Sequence, residues 1–60
     1  MKKILNVERE EIFKLLADNV HVYCFNIENE NIFDLYYQDV NLIHALIRNT
    51  EIVFFKIVEV

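Results

Sequence analysis

The chain has 60 residues, with six Lys or Arg against ten Asp or Glu, and its formal net charge is −4 at pH 7. A single domain over residues 1–60 is expected, and a domain of this size buries only about 60% of the surface that its unfolded chain exposes. Small proteins compensate with disulfides, a metal or oligomerisation. The single cysteine excludes an internal disulfide. The acidic balance argues against direct nucleic-acid binding, because nucleic-acid binders carry a basic patch.

Three side chains are soft metal ligands, namely His21, Cys24 and His44. A closed zinc site takes four ligands, so we expect no metal, and we find no motif for a cofactor or for catalysis. Cys24 is interpreted as a buried core thiol because its neighbours are apolar. The two histidines are interpreted as surface residues, with a pH-sensitive contact as a second interpretation of His21. Oligomerisation therefore remains as the expected source of additional stability.

The amino-terminal segment begins with two lysines but lacks the apolar run of a signal peptide, because charges return at Glu8. No stretch approaches the roughly 18 apolar residues that a membrane span requires. A lone reduced cysteine suits the cytoplasm, so we expect a cytoplasmic protein with no membrane contact. The sequence is rich in Phe, Tyr, Ile, Asn and Lys and contains no Gly or Pro. Such a composition uses AT-rich codons and indicates a low-GC bacterium or its phage.

The first predicted element is a helix over residues 7–18, capped by Asn6 at its start and ended by Asn19 in a left-handed conformation. Its first turn contains three acids, Glu8, Glu10 and Glu11. The interpretation that we favour is that these acids interact with the positive end of the helix dipole and are otherwise solvated. The alternative is that they mimic nucleic-acid phosphates and bind a basic site on a partner protein.

A β-hairpin is predicted next, because residues 20–28 and 31–37 are rich in β-branched and aromatic side chains and a polar ENEN run separates them. We expect Asn29 and Glu30 to form a two-residue turn. One face of the hairpin then carries Tyr23, Phe25, Ile27, Ile32, Asp34 and Tyr36. The other face carries Val22, Cys24, Asn26, Phe33, Leu35 and Tyr37. Both faces are therefore largely apolar.

A second helix over about residues 40–48 is predicted after Asp39, its expected N-cap, and Asn49 with Thr50 should end it. Residues 51–60 then form the last strand, so that the end of the chain becomes a β–α–β crossover. The result is an α+β fold with the order α-β-β-α-β, in which a small sheet of the hairpin plus the C-terminal strand packs with two helices.

An alternative includes Lys2–Leu5 as a first strand. The order then becomes β-α-β-β-α-β, which is that of the ferredoxin-like fold. Two lysines in four residues make a poor central strand, so this alternative ranks second.

The last strand is apolar on both faces, and two arrangements account for this. Either one helix covers each face of the sheet in a monomer, or both helices cover one face and another chain covers the other. We expect the second arrangement, because oligomerisation also supplies the additional stability that a domain of this size needs. Val53, Phe55 and Ile57 are then expected to face the helices. The predicted homodimer surface consists of Tyr23, Phe25, Ile27, Ile32, Tyr36, Ile52, Phe54, Val58 and Val60, with Lys56 and Asp34 as its polar exceptions.

The run from residue 20 to residue 60, in the order hairpin, helix, strand, resembles small acidic phage-encoded inhibitors such as the dimeric inhibitors of uracil-DNA glycosylase. The resemblance implies a small protein that dimerises and blocks a larger host protein. We therefore expect a non-enzymatic, homodimeric protein-binding module, a phage or mobile-element inhibitor of a host nucleic-acid enzyme or defence system. An antitoxin or small regulatory subunit is the first alternative. The second is a small oligomeric isomerase with its site at the subunit interface, using His21 or a tyrosine.

Overall fold

The computed structural model describes all 60 residues, which form four strands and two α-helices. The strands are β1 (Lys2–Asn6), β2 (Tyr23–Asn26), β3 (Ile32–Asp34) and β4 (Ile52–Glu59). The helices are α1 (Ile12–Ala17) and α2 (Val40–Arg48), and the 3-10 turns Arg9–Glu11 and Leu35–Tyr37 precede them. The α+β fold class is confirmed, with the hairpin, the last strand and two helices. Because β1 is present, the observed order of strands and helices is that of the alternative, β-α-β-β-α-β.

The sheet has the order β1-β4-β2-β3, and every neighbouring pair is antiparallel. Strand β1 lies at an edge, where lysines are tolerated because their charged ends remain in water. Lys2 and Lys3 argue against a central strand, but they are compatible with an edge strand such as β1. Strands β3 and β4 run parallel to each other with β2 between them, so the predicted β–α–β crossover passes over an intervening strand.

Helix α2 confirms the second predicted helix. It begins after Asp39, whose Oδ2 accepts a hydrogen bond of 3.0 Å from the backbone N–H of Asn41. Asn49 is the C-cap, and its Oδ1 accepts from the N–H of Glu51 at 2.9 Å. Local signals at both ends therefore determine this helix.

The first predicted helix is shorter than expected. The backbone N–H of Val7 donates to the carbonyl of Phe54 at 3.0 Å, so the chain stays extended beside β4. Asn6 consequently ends β1, and its predicted role as the helix N-cap is wrong. The predicted left-handed end of the helix is confirmed, since Asn19 has a φ of 62°.

The hairpin differs from its predicted register by two residues, because Phe25 pairs with Ile32 and Tyr23 with Asp34. The side-chain amide of Asn26 accepts from the N–H of Glu28, which stabilises a longer loop than the expected two-residue turn. Glu30 adopts a φ of 61° in this loop. An even shift leaves each side chain on the same side of the strand, so the predicted faces are correct for the paired residues, with Tyr23, Phe25, Ile32 and Asp34 on one face and Cys24 and Phe33 on the other. Ile27, Tyr36 and Tyr37 lie outside the strands.

The core lies between one sheet face and both helices. From the sheet it contains Cys24, Ile52 and Phe54, each at most 2% exposed. From the helices it contains Ile12 of α1 and Ile43 of α2. Because both helices contribute to this single core, the arrangement with one helix on each face does not occur.

The predicted orientation of β4 is wrong. Ile52 and Phe54 were expected to face outward, yet they are 2% and 1% exposed in the chain's own core. Val53 and Ile57 were expected to face inward, yet they are 41% and 43% exposed. The physical reason is the pairing of β4 with β2, which sets Phe54 opposite the buried Cys24. Lys56, two residues from Phe54, therefore lies on the face opposite Asp34 and is not its partner.

Arg9 covers the end of the core near the C-terminus of α2. Its Nε donates to the carbonyl of Ile47 at 2.8 Å, and its Nη2 donates to the carbonyls of Asn49 and Ile52 at 2.9 and 2.7 Å. The guanidinium lies 5.1 Å from the centroid of the Phe54 ring. Carbonyls at a helix C-terminus lack partners within the helix, so one cation satisfies the end of α2 and the entry to β4.

Candidate functional site

The sheet face opposite the helices is not covered by any other part of the chain. Residues paired across antiparallel strands lie on the same face, and the pairs Ile4–Ile57, Tyr23–Phe55 and Phe25–Val53 define this one. We call it the open face, and its apolar members are Ile4, Tyr23, Phe25, Ile32, Val53, Phe55 and Ile57. The structure thus produces one continuous apolar surface from all four strands.

The apolar side chains of the open face are in contact with solvent to a large extent. Ile4 is 68% exposed and Ile32 is 60% exposed, at opposite edges of the sheet. At the centre the rings of Tyr23 and Phe55 stack with their centroids 5.4 Å apart and an interplanar angle of 19°. Monomeric proteins rarely expose contiguous apolar patches above a few hundred Å², so this face has the character of an interaction surface.

The charges on the open face are few, and they do not form a basic patch. Lys2 of β1 and Glu59 of β4 are cross-strand neighbours, and Asp34 lies opposite Tyr23. The N-terminal ammonium of Met1 is 3.4 Å from Glu59 Oε1, but both groups are exposed, so this ion pair contributes little. Stacked rings on an open sheet also bind nucleic-acid bases, but such surfaces track the phosphates with basic side chains. The charged side chains of the open face form no such basic track.

A polar and aromatic cluster lies at one end of the open face, and we call it the His21 cluster, made of His21, Asp34, Tyr36 and Tyr37. His21 Nδ1 is 2.8 Å from Asp34 Oδ2. The other carboxylate oxygen, Asp34 Oδ1, accepts from the backbone N–H of Tyr36 at 3.0 Å. The imidazole stacks on the Tyr36 ring at 4.1 Å and 9°, and Tyr37 meets it edge-on at 5.5 Å. The carboxylate thus holds both the imidazole and the turn that follows β3.

An apolar groove of about 490 Å³ lies between α1 and α2, with Leu16, Leu35 and Ile43 among its lining residues. Tyr36 is the only titratable side chain in its lining, and His21 and Asp34 are not part of it. General acid–base catalysis needs a proton donor or acceptor within reach of the reacting atom. His21 and Asp34 therefore do not line an enclosed space within the chain.

Cys24 is a free thiol on the covered face and is 1% exposed, which confirms the predicted core thiol. Burial raises the pKa of this thiol, and hydrogen bonds with the backbone of Phe33 and of Cys24 itself lower it to a smaller extent. A thiol of this kind is mostly protonated at neutral pH and is inert. His44 is exposed on α2, with its ring centroid 4.8 Å from that of Phe13.

The acidic residues Glu8, Glu10 and Glu11 lie on and beside the first 3-10 turn, and all three are exposed. Their side chains make no ion pair and no capping hydrogen bond to the backbone. Arg9, which lies among them in the sequence, is directed to the carbonyls near the end of α2. The three carboxylates therefore form a free acidic surface, which we call the acidic turn.

The predicted homodimer residues do not all lie on one surface. Tyr23, Phe25 and Ile32 lie on the open face, and Tyr36 belongs to the cluster at its end. Ile27 lies in the hairpin loop and is 55% exposed. The outward positions predicted on β4, namely Ile52, Phe54 and Val58, share the side of the strand that faces the helices, and Val60 follows the strand.

The sequence prediction missed four members of the open face, which are Ile4, Val53, Phe55 and Ile57. Ile4 follows once residues 2–5 are taken as a strand. For Val53, Phe55 and Ile57 the sequence does not indicate which side of β4 is exposed, because both sides of this strand are apolar.

Comparison of the chain with protein-family models, with curated proteins and with solved structures finds no match. None of the helices has the length and apolar character needed to cross a membrane. No group of three or more His, Cys, Asp or Glu side chains is arranged to hold a metal ion. The surfaces described above are therefore the basis for assigning a function.

Proposed function

We propose that this chain is a non-enzymatic protein-binding module that acts as a homodimer through its open face. The observation that supports the proposal is the uncovered apolar face of a sheet whose two helices both pack on the other side. Exposed apolar surface of this extent is unfavourable in water, and on small proteins it marks contact with another protein.

A second copy of the chain is the partner that fits the open face best. Only 8 of the 60 residues are buried, so one chain has a small core and gains stability from further burial. A standard interface covers about 800 Å² on each partner, which is about a fifth of the 4421 Å² of accessible surface of this chain. Two-fold pairing of identical surfaces is the commonest way in which proteins form such contacts.

The dimer is proposed to bind a larger host protein, as a phage or mobile-element inhibitor of a host nucleic-acid enzyme or defence system in the bacterial cytoplasm. The net charge of −4 and the free carboxylates of the acidic turn support this proposal. Proteins that act on nucleic acids have basic surfaces, and an acidic protein is attracted to them. The acidic turn, Glu8, Glu10 and Glu11, is therefore the surface that we assign to the host partner. An antitoxin or small regulatory subunit is the alternative within the same class.

A small oligomeric isomerase is the second candidate, and one observation favours it. Asp34 holds His21 Nδ1 at 2.8 Å, which is how a carboxylate orients a histidine that serves as a general base. A second copy on the open face would enclose this pair together with Tyr36. The binding function ranks first because the pair borders no enclosed space within one chain.

Sedimentation equilibrium at tens of micromolar tests the homodimer. We expect a particle of about twice the 7.3 kDa mass of the chain. Val53→Glu on the open face should give a folded monomer, because it places a charge where the two sheets meet. Phe33→Glu is the matched control, since Phe33 is 42% exposed and Val53 is 41% exposed. Phe33 lies opposite Cys24, on the other face of the sheet. A wild-type chain that stays monomeric, or two variants that dissociate equally, would refute the open face as the dimer contact.

Affinity capture from a low-GC bacterial lysate tests the host partner. The proposed inhibitor should retain one large protein in fixed stoichiometry, whereas an antitoxin should retain a small cognate toxin. Changing the three glutamates of the acidic turn to Gln should abolish retention and leave the dimer intact. The matched control changes three other exposed glutamates, Glu28, Glu30 and Glu51, to Gln. Equal retention by the two triple variants would show that the acidic turn is not the binding surface.

A further inference from the structure

The His21 cluster is part of the surface that the proposed dimer buries. His21 and Asp34 are linked by a hydrogen bond of 2.8 Å, and Asp34 lies opposite Tyr23 of the open face. Their side chains are 37% and 22% exposed, so water still reaches both groups in the single chain. A second copy lying on this face removes much of that water.

The charge of the cluster depends on the protonation of His21. With a neutral imidazole, Nδ1–H donates to Asp34, and the pair carries the charge of the carboxylate alone. With an imidazolium, the same hydrogen bond joins opposite charges, and the pair is neutral overall. Burying a carboxylate without a compensating charge is costly, whereas a hydrogen-bonded ion pair is much less so. Protonation of His21 therefore lowers the cost of covering the open face.

The other charged and titratable groups near His21 do not substitute for its protonation in neutralising Asp34. Tyr36 and Tyr37 meet the imidazole from the turn after β3, and Tyr23 is the next side chain on the same side of β2. Strands β1 and β4 bring Lys2 and Glu59 to the same end of the sheet as cross-strand neighbours, and the Met1 ammonium lies 3.4 Å from Glu59 Oε1. Within the cluster itself, Asp34 is the only carboxylate and His21 is the only basic side chain.

The geometry points to a pH-sensitive homodimer, in which protonation of His21 beside Asp34 strengthens the association of two open faces. The inference rests on the proposed homodimer and adds a regulation of the same surface. Histidine is the side chain that ordinarily changes charge between pH 5 and 8, so the change falls within a range that cells can reach. Two copies of the cluster enter each dimer, which doubles the number of protons taken up.

Sedimentation equilibrium from about pH 8 to about pH 5.5 tests this inference. We expect the dissociation constant of the wild-type dimer to fall by about tenfold over this range, since dimerisation then takes up protons. His21→Gln should keep the dimer and lose most of the pH dependence. His44→Gln is the matched control, because His44 lies on the exposed side of α2, and it should behave as the wild type.

The outcomes separate the inference from the function on which it rests. A dimer whose dissociation constant does not change with pH, or changes equally in His21→Gln, refutes the pH-sensitive association and leaves the homodimer in place. A monomer at every pH refutes both. Imidazole NMR signals of the wild type provide a check that needs no variant. His21 should take up its proton at a higher pH in concentrated samples than in dilute ones, and concentration-independent titration would also refute the inference.

Discussion

The two faces of β4 are almost equal in sequence and very different in the structure. Ile52 and Phe54 on one side are at most 2% exposed, while Val53 and Ile57 on the other are more than 40% exposed. Side-chain hydrophobicity therefore does not decide which side is buried. Pairing with β2 decides it, because Phe54 lies opposite Cys24 and both helices pack above that pair.

The covered face is also the one on which polar groups are satisfied. Arg9 donates to three carbonyls around the end of α2 and the start of β4. No buried side-chain nitrogen or oxygen lacks a hydrogen-bond partner. On the open face, the polar side chains of His21 and Asp34 remain partly exposed to water. The covered face thus stabilises the single chain, and the open face remains available for association.

Truncation of neighbouring aromatic residues on β4 should separate the two faces most strongly. Phe54→Ala removes a fully buried ring and should lower the free energy of unfolding by about 3–5 kcal/mol. Phe55→Ala removes a half-buried ring and should cost less than about 2 kcal/mol in the single chain. Urea denaturation at low concentration, where a dimer does not contribute, measures both values. Equal losses would contradict the assignment of the two faces.

Cys24 provides a second test of the covered face. Cys24→Ser should lower the free energy of unfolding by about 1–3 kcal/mol because a hydroxyl group is buried, and Cys24→Ala serves as the control without a polar group. The raised pKa of the thiol also predicts that stability declines as the pH rises above the ordinary value of a cysteine, since the unfolded chain loses the proton first. Rapid reaction of the native protein with a thiol reagent at neutral pH would contradict this burial.

Arg9→Lys tests the hydrogen bonds between Arg9 and the carbonyls around the end of α2. Its expected effect is smaller than those of the two changes above. Lysine keeps the charge but lacks the planar group that reaches three carbonyls. A loss of about 1–2 kcal/mol in the free energy of unfolding is expected, because part of this contact is exposed to water. Arg48→Lys is the matched control, since Arg48 is exposed and makes no side-chain hydrogen bond or ion pair in the structure. Losses of the same size in thermal or urea unfolding would show that the carbonyl contacts of Arg9 do not stabilise the fold.

Several features of the fold follow from the sequence because they depend on nearby residues. Asp39 and the apolar spacing after it define α2, and Asn19 accepts the left-handed conformation that ends α1. The burial of Cys24 follows from its apolar neighbours. The faces of the paired hairpin residues are also predicted correctly despite an error of two residues in the register, because side chains alternate with a period of two. Each of these features is determined within a few residues of the chain.

The remaining features required the tertiary structure because they join distant parts of the chain. The orientation of β4 depends on its pairing with β2, some 30 residues earlier, and two equally apolar sides gave the sequence no means of choosing. Strand β1 exists because it pairs with the end of β4, and Arg9 is recognised only through carbonyls about 40 residues away. The contact between His21 and Asp34 likewise arises from the way in which β2 and β3 meet. Local propensity cannot determine such pairings, since each is stabilised only when the whole sheet has formed.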